Sequence, residues 1–139
     1  MNRSLVALAL LMLPLLLACG GSPTEIVDGP LVFEGVVADE GSVLHSLRVT
    51  RRGGVRIEFV SLVAEPPVEE GIIPSLGFAL GQLDDASGLC LASYSTGVRE
   101  GTRLAIGLEE REYCLRLFDN GTLDVGDTRA YSFTVTASE

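Results

Sequence analysis

The chain has no Trp, no Lys, a single His and only three Cys in 139 residues. Each shortage narrows the chemistry open to it. A nucleophile needs a base beside it, and the only His, His45, falls in phase with Leu47 and Val49 near the start of an alternating segment, where a structural role is expected. No Gly-x-Ser-x-Gly elbow, no Cys-x-x-Cys pair and no Gly-rich loop opening a helix occurs, so the usual signatures of hydrolases, zinc sites and phosphate cradles are missing. That every cation is Arg fits bidentate carboxylate recognition. GC-rich codon usage is the favoured explanation, and the feature carries no functional weight. Positive charge is scarce too: 10 Arg against 19 acids gives −9, which disfavours nucleic acid and anionic headgroups as partners.

Apolar runs are short, with one exception at the amino terminus. Arg3 precedes an almost wholly apolar stretch from Leu5 to Leu17, the length of a signal-peptide core and short for a bilayer span. It ends Leu16-Leu17-Ala18-Cys19-Gly20. This resembles the lipobox of bacterial lipoproteins, with Leu at −3, a small residue at −1 and then Cys. The resemblance implies that residues 1–18 are a cleaved leader and that Cys19 carries the lipid, with fatty acyl chains such as palmitate. An ordinary secretory leader cut near Ala18, with Cys19 incidental, is the alternative. Gly20 after the lipidated Cys implies the outer membrane if the organism is Gram-negative. Loss of residues 1–18 removes one Arg and no acid, so the remaining 121 residues carry 9 Arg against 19 acids, or −10. Membrane attachment then rests on acyl chains, of which two or more are needed for a stable anchor.

Residues 19–30 read as the lipidated Cys and a flexible tether, beginning Gly20-Gly21-Ser22-Pro23-Thr24. Residues 31–139 read as one domain. Eight short segments of period two are expected as strands: Leu31–Ala38, Val43–Thr50, Gly54–Val63, Leu76–Leu83, Leu89–Ser93, Arg103–Leu108, Glu112–Phe118 and Arg129–Ala137. Turn chemistry separates them at Asp39-Glu40-Gly41-Ser42, Arg52-Gly53-Gly54, Asp84 to Gly88 and Asp119-Asn120-Gly121. No segment keeps a helical period over ten residues. The expectation is an all-β, antiparallel, jelly-roll-like β-sandwich of about eight strands. In the last strand Tyr131, Phe133 and Val135 define a core face and Ser132, Thr134 and Thr136 a wet one.

With Cys19 assigned to lipid, Cys90 and Cys114 form an even pair in an oxidising compartment and read as a disulfide. Both fall out of phase with their apolar neighbours, Leu89 and Leu91 for one, Tyr113 and Leu115 for the other. A bridge between neighbouring strands on an outward face is therefore expected.

The closing stretch, Glu112 to Gly121 followed by Ala130-Tyr131-Ser132-Phe133-Thr134-Val135-Thr136, resembles the end of a bacterial pre-peptidase C-terminal domain. Gly35, Gly41-Ser42, His45 to Val49 and Gly54 to Ile57 fit the opening strands of that family. The resemblance spans roughly residues 31–137. It implies a jelly roll of about eight strands acting as an accessory module, here without an attached catalytic domain.

Asp84-Asp85, Glu69-Glu70 and Glu109-Glu110 are adjacent acids whose side chains diverge, and they read as solvated loop charge. Calcium is the one metal considered. It takes hard oxygen ligands, and Asp119, Asn120, Asp124 and Asp127 crowd one loop, with Asp39 and Glu40 in another. An ordinary turn is the competing reading, and no other cofactor is expected. Among the few aromatics, Phe33, Phe59, Tyr113, Tyr131 and Phe133 follow core phase. Tyr94 is the one loop ring available as a carbohydrate platform.

Together these features point to a lipid-anchored, non-enzymatic envelope module binding a protein or polysaccharide partner. A structural lipoprotein acting by assembly is the alternative. A calcium-dependent adhesion domain or a hydrolase fits less well.

Overall fold

The computed structural model describes residues 24–26 and 30–138. The leader and Cys19 lie outside the described residues. Among the described residues nine strands occur, in the order β1 (Thr24–Ile26), β2 (Leu31–Ala38), β3 (Ser42–Val49), β4 (Gly53–Glu65), β5 (Leu76–Leu83), β6 (Cys90–Val98), β7 (Arg103–Leu108), β8 (Arg111–Phe118) and β9 (Thr128–Ser138). One sheet runs β2-β9-β4-β7, and the other runs β3-β8-β5-β6 with β1 added at its edge. All pairings among β2 to β9 are antiparallel. The chain passes from one sheet to the other between most successive strands, which is the connectivity of a jelly roll.

Short β1 pairs in parallel with Leu47–Val49 of β3. It falls inside the stretch expected to be a flexible tether, whose backbone instead completes hydrogen bonds along an otherwise open sheet edge.

The core lies between the sheets and follows the alternation of each strand. Tyr131, Phe133 and Val135 point inward from β9, Val55, Ile57 and Phe59 from β4, and Tyr113, Leu115 and Leu117 from β8. Phe133 is the hub, with its ring 5.1 Å from Phe33, 5.1 Å from Phe59 and 6.2 Å from Phe78. A register shift in β4 between Phe59 and Ser61 turns Val60 outward and returns Leu62 and Ala64 to the core face. This bulge lets the strand run on to Glu65.

Cys90 and Cys114 are joined, with Cα atoms 5.8 Å apart. The geometry corrects the expected placement in one respect: the bridge does not link neighbouring strands, because β6 and β8 flank β5 in the sheet. Cys114 keeps the outward phase of β8, opposite to core Tyr113, Leu115 and Leu117, yet is buried, while Cys90 is partly open. The cause is local. Pairing of β5 with β8 ends at Gly81 opposite Cys114, and β6 is bulged against β5 at the same point. A Cβ at Gly81 would overlap the Leu91 carbonyl, so glycine lets the start of β6 close over β5 towards β8.

Candidate functional site

Two long connections close one end of the sandwich. The first follows β4, where Pro66 and Pro67 have no N–H to continue a ladder. It runs to Ser75 through a turn in which the Ile72 amide donates to the Glu69 carbonyl at 3.0 Å. The second follows β8 and is organised by Asp119. Its Oδ1 accepts from the amides of Gly121 (2.9 Å), Thr122 (3.2 Å) and Leu123 (3.3 Å), and its Oδ2 from that of Glu40 (3.0 Å). Partial desolvation pushes the Asp119 carboxyl upward, but these amides together outweigh it and hold the group below its usual 3.8. Leu123, buried in the core, pins the middle of the loop. A second turn follows, in which the Asp124 amide donates to Asp127 Oδ2 at 3.1 Å and the Asp127 amide to the Asp124 carbonyl at 2.9 Å. Asn120 Nδ2 donates to Ser75 Oγ at 3.2 Å and ties the two connections together.

Between them lies a cleft of about 450 Å³, within the range of small-ligand sites. Pro66, Pro67, Val68, Ile72, Ile73 and Pro74 make its apolar wall, and Glu69, Asp124 and Asp127 bring carboxylates to it. Ile72 and Ile73 are 55% and 59% exposed, an unusual display of two large aliphatic side chains side by side.

The decisive residue is Arg129, which also lines the cleft. It stands two positions before Tyr131 and so takes the inward phase of β9, at the point where the core series reaches the end of the sandwich. It is only 3% exposed and is the single buried charged side chain among the described residues. Its Nη1 donates to the Thr128 carbonyl at 3.1 Å, while its buried Nε has no acceptor. The ion pairs of the described residues are Arg48–Glu112, Arg52–Glu109 and Arg103–Glu58, so no carboxylate is paired with Arg129. A buried guanidinium left without a counter-charge costs on the order of a few kcal/mol.

Of the residues singled out as calcium ligands, Asp119 and Asn120 are engaged in the loop's own hydrogen bonds, while Asp124 and Asp127 reach the cleft. Among the described residues no three His, Cys, Asp or Glu converge as a metal-ligand set. Tyr94 lies in strand β6 and not in a loop, at the outer edge of its sheet.

His45 sits where β3 faces β2. Its Nε2 is 2.6 Å from Tyr131 Oη, and its ring packs edge-on against Phe33, Tyr131 and Phe133. Burial holds its imidazole below the ordinary 6.5 and pushes the Tyr131 phenol up to about 12. Both groups therefore stay neutral near pH 7, which suits a phenol donating to an unprotonated Nε2.

The chain matches no known family model, and no curated protein is significantly similar to it. The geometry of the cleft carries the functional argument.

Proposed function

We propose that this chain is a lipid-anchored, non-enzymatic module of the bacterial cell envelope. It presents its jelly roll to a protein or polysaccharide partner through the cleft between the β4–β5 and β8–β9 connections. The lipobox-like Leu16 to Cys19 supports the anchor, and the acidic composition favours attachment by acyl chains on Cys19, at the outer membrane, over contact with headgroups. The single observation that carries the binding reading is the unpaired, buried Arg129 beneath a cleft walled by exposed Ile72 and Ile73. Such a charge is costly in the free protein and is compensated when a ligand supplies acceptors. The one His is held in an aromatic cluster away from that cleft, which favours binding over catalysis.

Two measurements test this. Mass spectrometry of the membrane form should find an acylated Cys19 at the amino terminus, and an intact leader would overturn the anchor. A photo-crosslinking residue placed at Ile73 in living cells should trap an envelope component. One placed at Glu100, exposed in the β6–β7 turn, should not. Equal trapping at both, or none at Ile73, would overturn the cleft as the binding site.

A second observation favours assembly. Val32 and Val36 of β2 and Val60 and Val63 of β4 stand exposed on the outer face of their sheet, on either side of β9. Sedimentation of the purified protein distinguishes this reading, since self-assembly through that face would give oligomers that Val36→Glu dissolves.

A further inference from the structure

We propose that the cleft recognises a zwitterion: the adjacent ammonium and carboxylate of an apolar α-amino acid, free or displayed on a larger envelope component. The inference rests on the cleft being the binding site and adds the chemistry of what enters it. Three features of one cleft point the same way. Arg129 offers a guanidinium with an unused donor, and guanidinium geometry matches a carboxylate. Asp127 lines the same cleft from the turn immediately before β9, two residues ahead of Arg129, and does not pair with it. A ligand with opposite charges on neighbouring atoms can engage both groups at once. Ile72 and Ile73 then cover an aliphatic side chain.

The acids argue against a simple anion. Glu69, Asp124 and Asp127 outnumber the one guanidinium, so phosphate or sulfate would enter against a net negative field. A zwitterion adds no net charge and uses both signs. The hydroxyls of Ser75 and Thr122 add neutral partners at the same wall.

The test is calorimetric titration of the full chain, purified from membranes in detergent, with leucine, N-acetyl-leucine, leucinamide, glycine and inorganic phosphate. Leucine should bind, and each of the other four should bind at least tenfold more weakly. Arg129→Met should lower leucine affinity at least tenfold while the melt stays at or above that of the parent, because an unpaired buried charge is removed. Should that variant fail to fold, Asp127→Asn serves in its place. It should weaken leucine towards the level of N-acetyl-leucine and should not weaken N-acetyl-leucine, because it removes one negative charge from the cleft. N-acetyl-leucine or phosphate binding as tightly as leucine would overturn the zwitterion. So would leucine affinity that survives either substitution, or no binding of leucine at all. Crosslinking at Ile73 with silent leucine would mean that the cleft is a binding site for another chemistry. Absence of both would remove the site itself.

Discussion

Replacing Cys90 and Cys114 together by Ala should cost the domain about 3.5 kcal/mol. The value follows from chain entropy: the bridge joins residues 24 apart, and closing a loop of that length removes about 12 cal/mol/K from the unfolded chain. Position makes the full effect expected. The loop contains β6 and β7 and the start of β8, and β6 is an edge strand held in its sheet by β5 alone. Releasing Cys90 leaves the start of that edge held by its pairing with β5 alone. For a domain of this size the loss corresponds to a fall in Tm of about 14 °C. Differential scanning calorimetry should register it in the double variant without reductant. The same fall should occur in the parent under strong reductant, and reductant should leave the variant unmoved. Alanine suits the test better than serine, because Cys114 is buried and a hydroxyl there would add its own desolvation penalty. A drop below about 3 °C, or thiols that react with maleimide in the unreduced folded protein, would refute the argument.

Two other perturbations have defined outcomes. Because burial lowers the folded pKa of His45 below 6.5, the unfolded chain takes up the proton first as pH falls. Stability should therefore be complete above about pH 7, decline through 6.5 and level off below the folded pKa; His45→Phe should remove that component, and an unchanged pH–Tm profile in the variant would refute it. Gly35 pairs across the sheet with Tyr131, and a Cβ there would overlap the phenol, so Gly35→Ala should cost about 1–3 kcal/mol by overpacking; a urea midpoint equal to the parent's would show that the ring moves freely.

Most strands were legible because most have one buried face. Leu31–Ala38, Leu76–Leu83 and Arg103–Leu108 coincide with their expected limits. The misses occur where burial and alternation part company. In β6 every residue from Leu91 to Ser95 is exposed, so no alternation marks the strand beyond Ser93 although it continues to Val98. In β4 the bulge at Val60 shifts the core phase by one residue. Short β1 has no apolar period to read, since its pairing is by backbone. The spanning of β5 by the disulfide depends on a local bulge that cysteine phase does not encode. In the β8–β9 loop, Asp119 accepts from the amides of its own turn, a role that acidic density in the sequence does not show. Arg129 was overlooked although the signal was present, as an arginine standing in the core phase of Tyr131, Phe133 and Val135.

On the proposed reading, that placement lets one strand serve both stability and recognition. β9 lies between β2 and β4, so its inward residues meet side chains from both flanking strands and from the opposite sheet. At its middle this yields Phe133, fully buried among four aromatic rings and His45. At its start, the same inward phase delivers Arg129 beneath the two connections that form the cleft. An arginine at Phe133 would destroy the core, whereas at position 129 it is tolerated because the loops leave a space that an acceptor can fill. Loop residues on the rim, such as Ile73, can therefore change without disturbing the hub. If the cleft binds as proposed, its selectivity and the stability of the domain are for that reason separable by mutation along a single strand.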